Sequence, residues 1–180
     1  MDNLPEYKLR QIKYGKDVPH KPDEKFMYMA LEEAKKAFEI GESPVGAVIV
    51  RRGEVISAAY NTRETERNAL HHAEIKAIDS ACKKLNGWRL WECEMYVTLE
   101  PCIMCSGAIM QARIPNLYFG AFDEKGGCIK SCMDINLVKG LNHKIKYTGG
   151  ILESECSKLL KEFFQRQRSI SNGGGLLRQD

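Results

Sequence analysis

The sequence predicts an α/β fold with helices on both faces of a mixed sheet. Three features predict it. Helical and strand-like periods alternate through the middle of the chain, a pair of apolar runs joined by a tight turn precedes them, and a strongly amphipathic segment follows. A chain of 180 residues makes one compact domain, and neither an internal repeat nor a second domain is visible.

Residues 1–22 are polar and interrupted by Pro5, Gly15, Pro19 and Pro22, which reads as a loosely ordered amino-terminal arm. The domain then runs over 23–170. Its first helix begins near Pro22-Asp23, where Asp23 can cap and Glu24 suits the first turn. Phe26, Met29, Ala30, Ala34, Ala37 and Phe38 recur at helical spacing until Gly41. Val45 to Val50 is a continuous apolar run, as expected of a buried strand. Arg52-Gly53 marks a turn, and Val55 to Tyr60 returns as a second strand. Asn61 to Leu70 is polar and aperiodic, hence a loop.

A helix follows from His71 to Leu85, with Ala73, Ala77, Ile78 and Ala81 on one face and Asn86-Gly87 closing it. Met95 to Leu99 is a strand. Pro101 stops it and can open the next helix, Ile103 to Ala112. Leu117 to Phe119 and Ile145 to Tyr147 are short strands, with Gly126-Gly127 as a turn between them. Ile151 to Phe164 is the closing helix, and residues 171–180, containing Gly173-Gly174-Gly175, read as a mobile tail.

Composition narrows the class. A hydrophobic fraction of 43% against 28% charged residues permits a real core and argues against wholesale disorder. No apolar run reaches the length of a membrane helix, and the start lacks the layout of a secretory signal, so a cytoplasmic location is expected. Seven cysteines fit that location: an odd number cannot pair fully, and no dense short-spaced framework appears. A net charge of +3 does not by itself announce a nucleic-acid binder. Lys158, Lys161, Arg166 and Arg168 on the last helix fit either an RNA-contacting face or an ordinary solvated one.

Two short segments carry chemistry: His72-Ala73-Glu74 and Pro101-Cys102-Ile103-Met104-Cys105. Cys-x-x-Cys at a helix start brings two sulfurs to one point, and the partly positive helix end favours their thiolates. With His72 as a third ligand the set leaves one tetrahedral position open, the catalytic rather than the structural arrangement. Imidazole with thiolate suits zinc better than magnesium or calcium. Glu74, two residues past His72, is placed to take a proton from a metal-acidified water. The bland alternatives are a redox pair or half of a structural zinc site, an ordinary histidine and a solvated glutamate. The combination favours the catalytic reading, with one zinc per chain. Cys128 and Cys132, four apart, are the comparable remaining thiols. His71 is a rival ligand, but only His72 leaves Glu74 two positions on; His71 then either faces the substrate or is a solvent-exposed neighbour.

From Ser43 to about Arg168 the chain resembles the bacterial tRNA-specific adenosine deaminases of the TadA type, within the cytidine/deoxycytidylate deaminase superfamily. The resemblance rests on Pro44-Val45-Gly46-Ala47-Val48, Tyr60-Asn61, His72-Ala73-Glu74-Ile75, Tyr96 to Cys102, Met104 to Ala108, Ala112 to Pro115, Lys125-Gly126-Gly127, Asn142-His143 and Gly150-Ile151-Leu152. His-x-Glu followed by Pro-Cys-x-x-Cys is a recognised signature of zinc nucleobase deaminases and is shared across the superfamily. The Val-Thr-Leu-Glu-Pro-Cys run and the Asn-His segment are the more specific marks.

The resemblance implies a three-layer α/β/α cytidine-deaminase-like sandwich around a five-stranded mixed sheet. It implies deamination of the wobble adenosine in a tRNA anticodon to inosine, by a homodimer, with Glu74 as the proton carrier. Asn61 matches the residue that hydrogen-bonds the base, and an amide can pair with a purine edge; the alternative is an Asn that merely turns its loop. Phe163 or Phe164 either walls the pocket or packs in the core. The chain departs from the family at Asn68-Ala69-Leu70-His71, where a proline and small residues are usual, and at Phe122, which is bulkier than usual. A deaminase of free guanine, cytosine or a nucleotide, and a zinc-stabilised RNA-binding subunit without catalysis, are the competing readings.

Overall fold

A computed structural model describes residues 20–173, with side chains described through residue 170. Of the arm expected over 1–22 and the tail expected over 171–180, all but residues 20–22 and 171–173 lie outside the described residues.

Helix α1 spans Glu24–Glu39; Asp23 caps it by accepting from the Lys25 N–H, with Glu24 in the first turn. Strand β1 covers Gly46–Arg51 and β2 covers Glu54–Tyr60. They form an antiparallel hairpin whose turn places Arg52 and Gly53 both at positive φ, 53° and 82°, the twist that suits a two-residue loop. Helix α2 is Ala73–Lys84, β3 is Cys93–Leu99, α3 is Ile103–Gln111, β4 is Asn116–Ala121, β5 is Lys146–Gly149 and α4 is Glu153–Gly173.

Several boundaries differ from the sequence pattern, the closing helix most, since it runs over Glu153–Gly173 where the period indicated Ile151 to Phe164. His72 is extended and occupies the N-cap position of α2, so that helix starts two residues later than its period indicates. Strand β3 begins at Cys93 because Cys93 still pairs with Arg51 across the sheet. A short 3-10 helix, Ile135–Leu137, lies in the β4–β5 connection; a single turn is too short to leave a period in the sequence.

The five strands form one sheet in the order β2-β1-β3-β4-β5. The pairs β1–β2 and β1–β3 are antiparallel, while β3–β4 and β4–β5 are parallel, so the expected mixed five-stranded sheet is present. Its faces follow the strand period of two. Ala47, Ile49, Met95 and Val97 face α2 and α3 through Ala73, Ala77, Ala81 and Ile109. Val48, Val50, Tyr96 and Tyr118 face α1 and α4 through Met27, Ala30, Leu31 and Cys156. The result is the expected α/β/α sandwich. No helix among the described residues is long and apolar enough to cross a membrane.

Gly46 sets how close α1 lies to the sheet. A Cβ there would collide with the backbone carbonyl of Ala30 and stand 2.5 Å from the Ala34 nitrogen. His20 reaches the other edge, with its two ring nitrogens 3.2 Å from Asn116 Oδ1 and 2.8 Å from Thr148 Oγ1.

Candidate metal centre and its cavity

The end of β3 and the start of β1 share one edge of the sheet, where the Gly46 N–H donates to Thr98 Oγ1 at 3.2 Å. The carboxyl end of a parallel strand is where open α/β sheets place their ligand sites. Helix α3 starts there immediately after β3, with Cys102 as its N-cap and Cys105 in its first turn. Helix α2 starts beside it, with His72 as its N-cap. Neither N-cap side chain caps its own helix, so both are free to face each other.

Nδ1 of His72 lies 3.8 Å from Cys102 Sγ and 3.6 Å from Cys105 Sγ. One donor atom from each of the three residues falls within 4.8 Å of the others, and together they could hold a metal ion. This is the only such group of three among the described residues; Cys128 and Cys132 do not form one.

The electrostatics fit that use. The hydrogen bond from Cys105 pulls the Cys102 thiol down to about 4, against burial, and His72 adds to the effect. The His72 imidazole is pushed up by its contact with Cys102. The Cys105 thiol is pushed up because it keeps the shared proton and is buried beside a thiolate. Without a cation the site thus favours one thiolate over two; a divalent ion removes that conflict.

A cavity of about 150 Å³ opens over these donors, and Asn61, Arg63, Glu74 and Asp123 also line it. Glu74, in the first turn of α2, is 4% exposed, and burial raises its carboxyl above the ordinary range. Asn61 follows β2 and is likewise buried; its backbone N–H donates to the Val45 carbonyl at 3.0 Å. All five residues singled out from the sequence therefore line this cavity or its donor set.

Two buried carboxylates here escaped the sequence pattern. Glu42, next to the glycine that ends α1, carries no motif. Its carboxylate accepts from Asn61 Nδ2 at 2.8 Å and from the Thr65 N–H at 2.6 Å. Glu100 sits inside the strand-to-helix motif and organises the following loop. It accepts from the N–H groups of Asp123, Ile129, Lys130 and Ser131 at 3.2, 3.3, 2.7 and 2.9 Å, and from the Ser131 hydroxyl.

The unusual loop before His72 is braced by polar contacts. His71 Nδ1 lies 2.5 Å from Glu66, Asn68 Nδ2 lies 2.8 Å from His71 Nε2, and Lys76 Nζ reaches Glu66 and Thr62 at 2.8 and 2.7 Å. His71 is thus neither a metal donor nor a solvated neighbour but part of this brace. Phe163 is buried against Phe38, with centroids 5.8 Å apart, and Phe164 is exposed; neither lines the cavity. Phe122 packs edge-on against Phe119 at 5.1 Å, so its bulk goes inward. His143 donates to the Ile114 carbonyl at 2.9 Å, pinning the loop ahead of β5.

Comparison with known proteins follows the same lines. A family model for MafB19-like deaminases matches residues 21–168. The tRNA-specific adenosine deaminase of Bacillus subtilis (strain 168) is 49% identical over 146 residues, covering 81% of this chain and 91% of that one. A structure from studies of A-to-I editing by tRNA:A34 deaminases at the wobble position of transfer RNA matches with a TM-score of 0.75 at 41% identity, covering 77% of this chain and 100% of that one. The guanine deaminase of Nitrosomonas europaea matches with a TM-score of 0.67 over 89% of this chain and 93% of that one, but its 24% identity is a likeness of fold alone.

Proposed function

We infer, from the fact that the chain belongs to the tRNA-specific adenosine deaminase family, that it hydrolyses the wobble adenosine of a tRNA anticodon to inosine and ammonia. The observation that carries this reading is one cavity lined by His72, Cys102, the buried Glu74 and the Asn61 amide, with Cys105 completing the donor set behind it.

The donor set, two sulfurs and an imidazole nitrogen, fits zinc and leaves one of its four usual positions to a non-protein partner. His72, Cys102 and Cys105 would hold the zinc, which would supply an acidified water for attack at C6 of the base. Glu74 accepts the proton from the attacking water, passes it to the neighbouring ring nitrogen, and helps the amine depart as ammonia. Its burial suits this work, because a carboxyl raised above its ordinary range holds a transferred proton more readily than a solvated one. Asn61 pairs with the purine edge. The target adenosine leaves the anticodon stack to enter the cavity, at least cost in a single-stranded loop. Arg63, exposed at the cavity rim, is placed to meet a backbone phosphate.

We also assign a homodimer. Ile103 on α3 and Met133, Leu137 and Val138 on or beside the 3-10 helix are exposed, and those two elements pack together. A cytoplasmic location follows from the tRNA substrate.

The test is direct. The zinc-loaded protein is incubated with a tRNA carrying a wobble adenosine, and separately with adenine, guanine and cytosine; inosine in the tRNA and released ammonia are measured. Inosine at the wobble position with no ammonia from free bases supports the reading. Ammonia from a free base without inosine in tRNA would replace it with the free-base alternative. No turnover on any of them, with zinc bound, would favour a non-catalytic RNA-binding subunit.

A further inference from the structure

Glu42 has no part in the proton transfers above, yet it is 1% exposed beside the cavity. A carboxylate so deeply buried needs hydrogen-bond partners, and both its oxygens have one: Oε2 takes the Asn61 side chain at 2.8 Å and Oε1 the Thr65 N–H at 2.6 Å.

This contact decides which way round the Asn61 amide sits. A carboxylate oxygen offers no proton, so only the Nδ2 end of the amide can face it. The flipped amide would set Oδ1 against Oε2, acceptor against acceptor. The backbone of Asn61 is pinned as well, through its N–H to Val45. The side chain therefore offers the cavity Oδ1 and the second Nδ2 proton, an acceptor beside a donor.

We propose that Glu42 is a positioning residue that sets base choice by holding the Asn61 amide in one orientation. An acceptor beside a donor matches a base edge with a donor beside an acceptor, the N6–H and N7 of adenine. Guanine and hypoxanthine present two acceptors there, O6 and N7, and O6 would meet Oδ1 in repulsion. The reaction itself makes that exchange, since inosine carries O6 where adenosine carried the amine. The contact that admits the substrate thus also loosens the product. The proposal rests on the reading that Asn61 meets the target base.

Glu42→Gln tests it. Its Oε1 can still serve Thr65, but Nε2 then faces Asn61, which must turn Oδ1 toward it and both amide protons toward the cavity. Anticodon stem-loop RNAs with adenosine or inosine at the wobble position are the probes. Their binding is measured in a Glu74→Gln background, which prevents turnover, and deamination is measured in the otherwise unaltered chain. The adenosine-to-inosine affinity ratio is expected to fall by about 10- to 100-fold, with the inosine RNA becoming an inhibitor. In an Asn61→Ala background the same change should leave the ratio where Asn61→Ala has put it. Glu42→Asp, which keeps an acceptor-only group, should keep the adenosine preference, and it decides the matter if the Gln variant does not fold. An unmoved ratio in Glu42→Gln, or a lost preference in a folded Glu42→Asp, overturns the role of Glu42. A wild-type protein that forms no inosine in tRNA overturns the functional reading instead.

Discussion

Nδ1 of His72 lies 3.6 Å from Sγ of Cys105, although 33 residues separate them in the chain. The contact exists because two helices begin at the same edge of the sheet and each places a donor at its first residue or turn. Both sulfurs sit at the start of α3, whose partly positive end favours a thiolate there.

Metal content follows from that geometry. The purified protein should carry about one zinc per chain, with Cys105→Ala losing it and a chelator lowering the melting temperature of the wild type. Elemental analysis and a thermal melt check this. Two zinc ions per chain would mean that Cys128 and Cys132 take part after all.

Glu74→Gln separates chemistry from folding. Turnover should fall by roughly 10²- to 10⁴-fold, while zinc content and circular dichroism stay as in wild type. The melting temperature should not drop, because the amide removes the cost of a buried carboxylate. Single-turnover deamination of tRNA measures the effect; near-normal turnover would remove Glu74 from the mechanism.

Glu92 gives an acid-side signature far from the cavity. It accepts from Arg51 Nε at 2.7 Å and Arg52 Nη2 at 2.8 Å. Burial pushes its carboxyl up, but the hydrogen bonds and charges of the two arginines outweigh this and hold it below the usual range. A folded-state pKa below the unfolded value of about 4.3 adds stability that is complete above that value and disappears as pH falls through the folded one. Glu92→Gln should therefore cost about 1 kcal/mol at pH 7, a modest figure because solvent partly screens the pair. The gap from wild type should shrink below about pH 4. Denaturant melts at neutral and acid pH would show this, and a gap of constant size would mean that Glu92 acts by packing.

Gly46→Ala tests the approach of α1 to the sheet. The added methyl meets the Ala30 carbonyl and the Ala34 nitrogen, backbone atoms that cannot rotate away. A loss of about 3 kcal/mol is expected, with weakened tRNA binding because β1 starts beside the cavity. Gly53→Ala is the control for chain stiffness, since nothing lies within 4 Å of its Cβ position; its cost should be only that of placing a side chain at a φ of 82°.

The elements were legible where burial leaves a period. Continuous burial of β1 wrote an unbroken apolar run, and the half-buried α1 and α2 wrote helical stripes. The single 3-10 turn left none. That His72, Cys102 and Cys105 meet was legible because a metal-binding donor set demands particular atoms at particular spacings. Phe163 is a contrasting case: an aromatic on an amphipathic helix reads alike for a pocket wall and for core, and packing against Phe38 made it core.

Sequence alone picked out the three donors that meet and the layer architecture, because each rests on local spacing or period. Tertiary structure alone decided what holds those residues in place. Glu42 meets Asn61 across 19 positions, and Glu100 gathers a loop some thirty residues away. Neither carboxylate has a local signal, since a buried glutamate and a solvated one are the same letter until the fold supplies the donors around it.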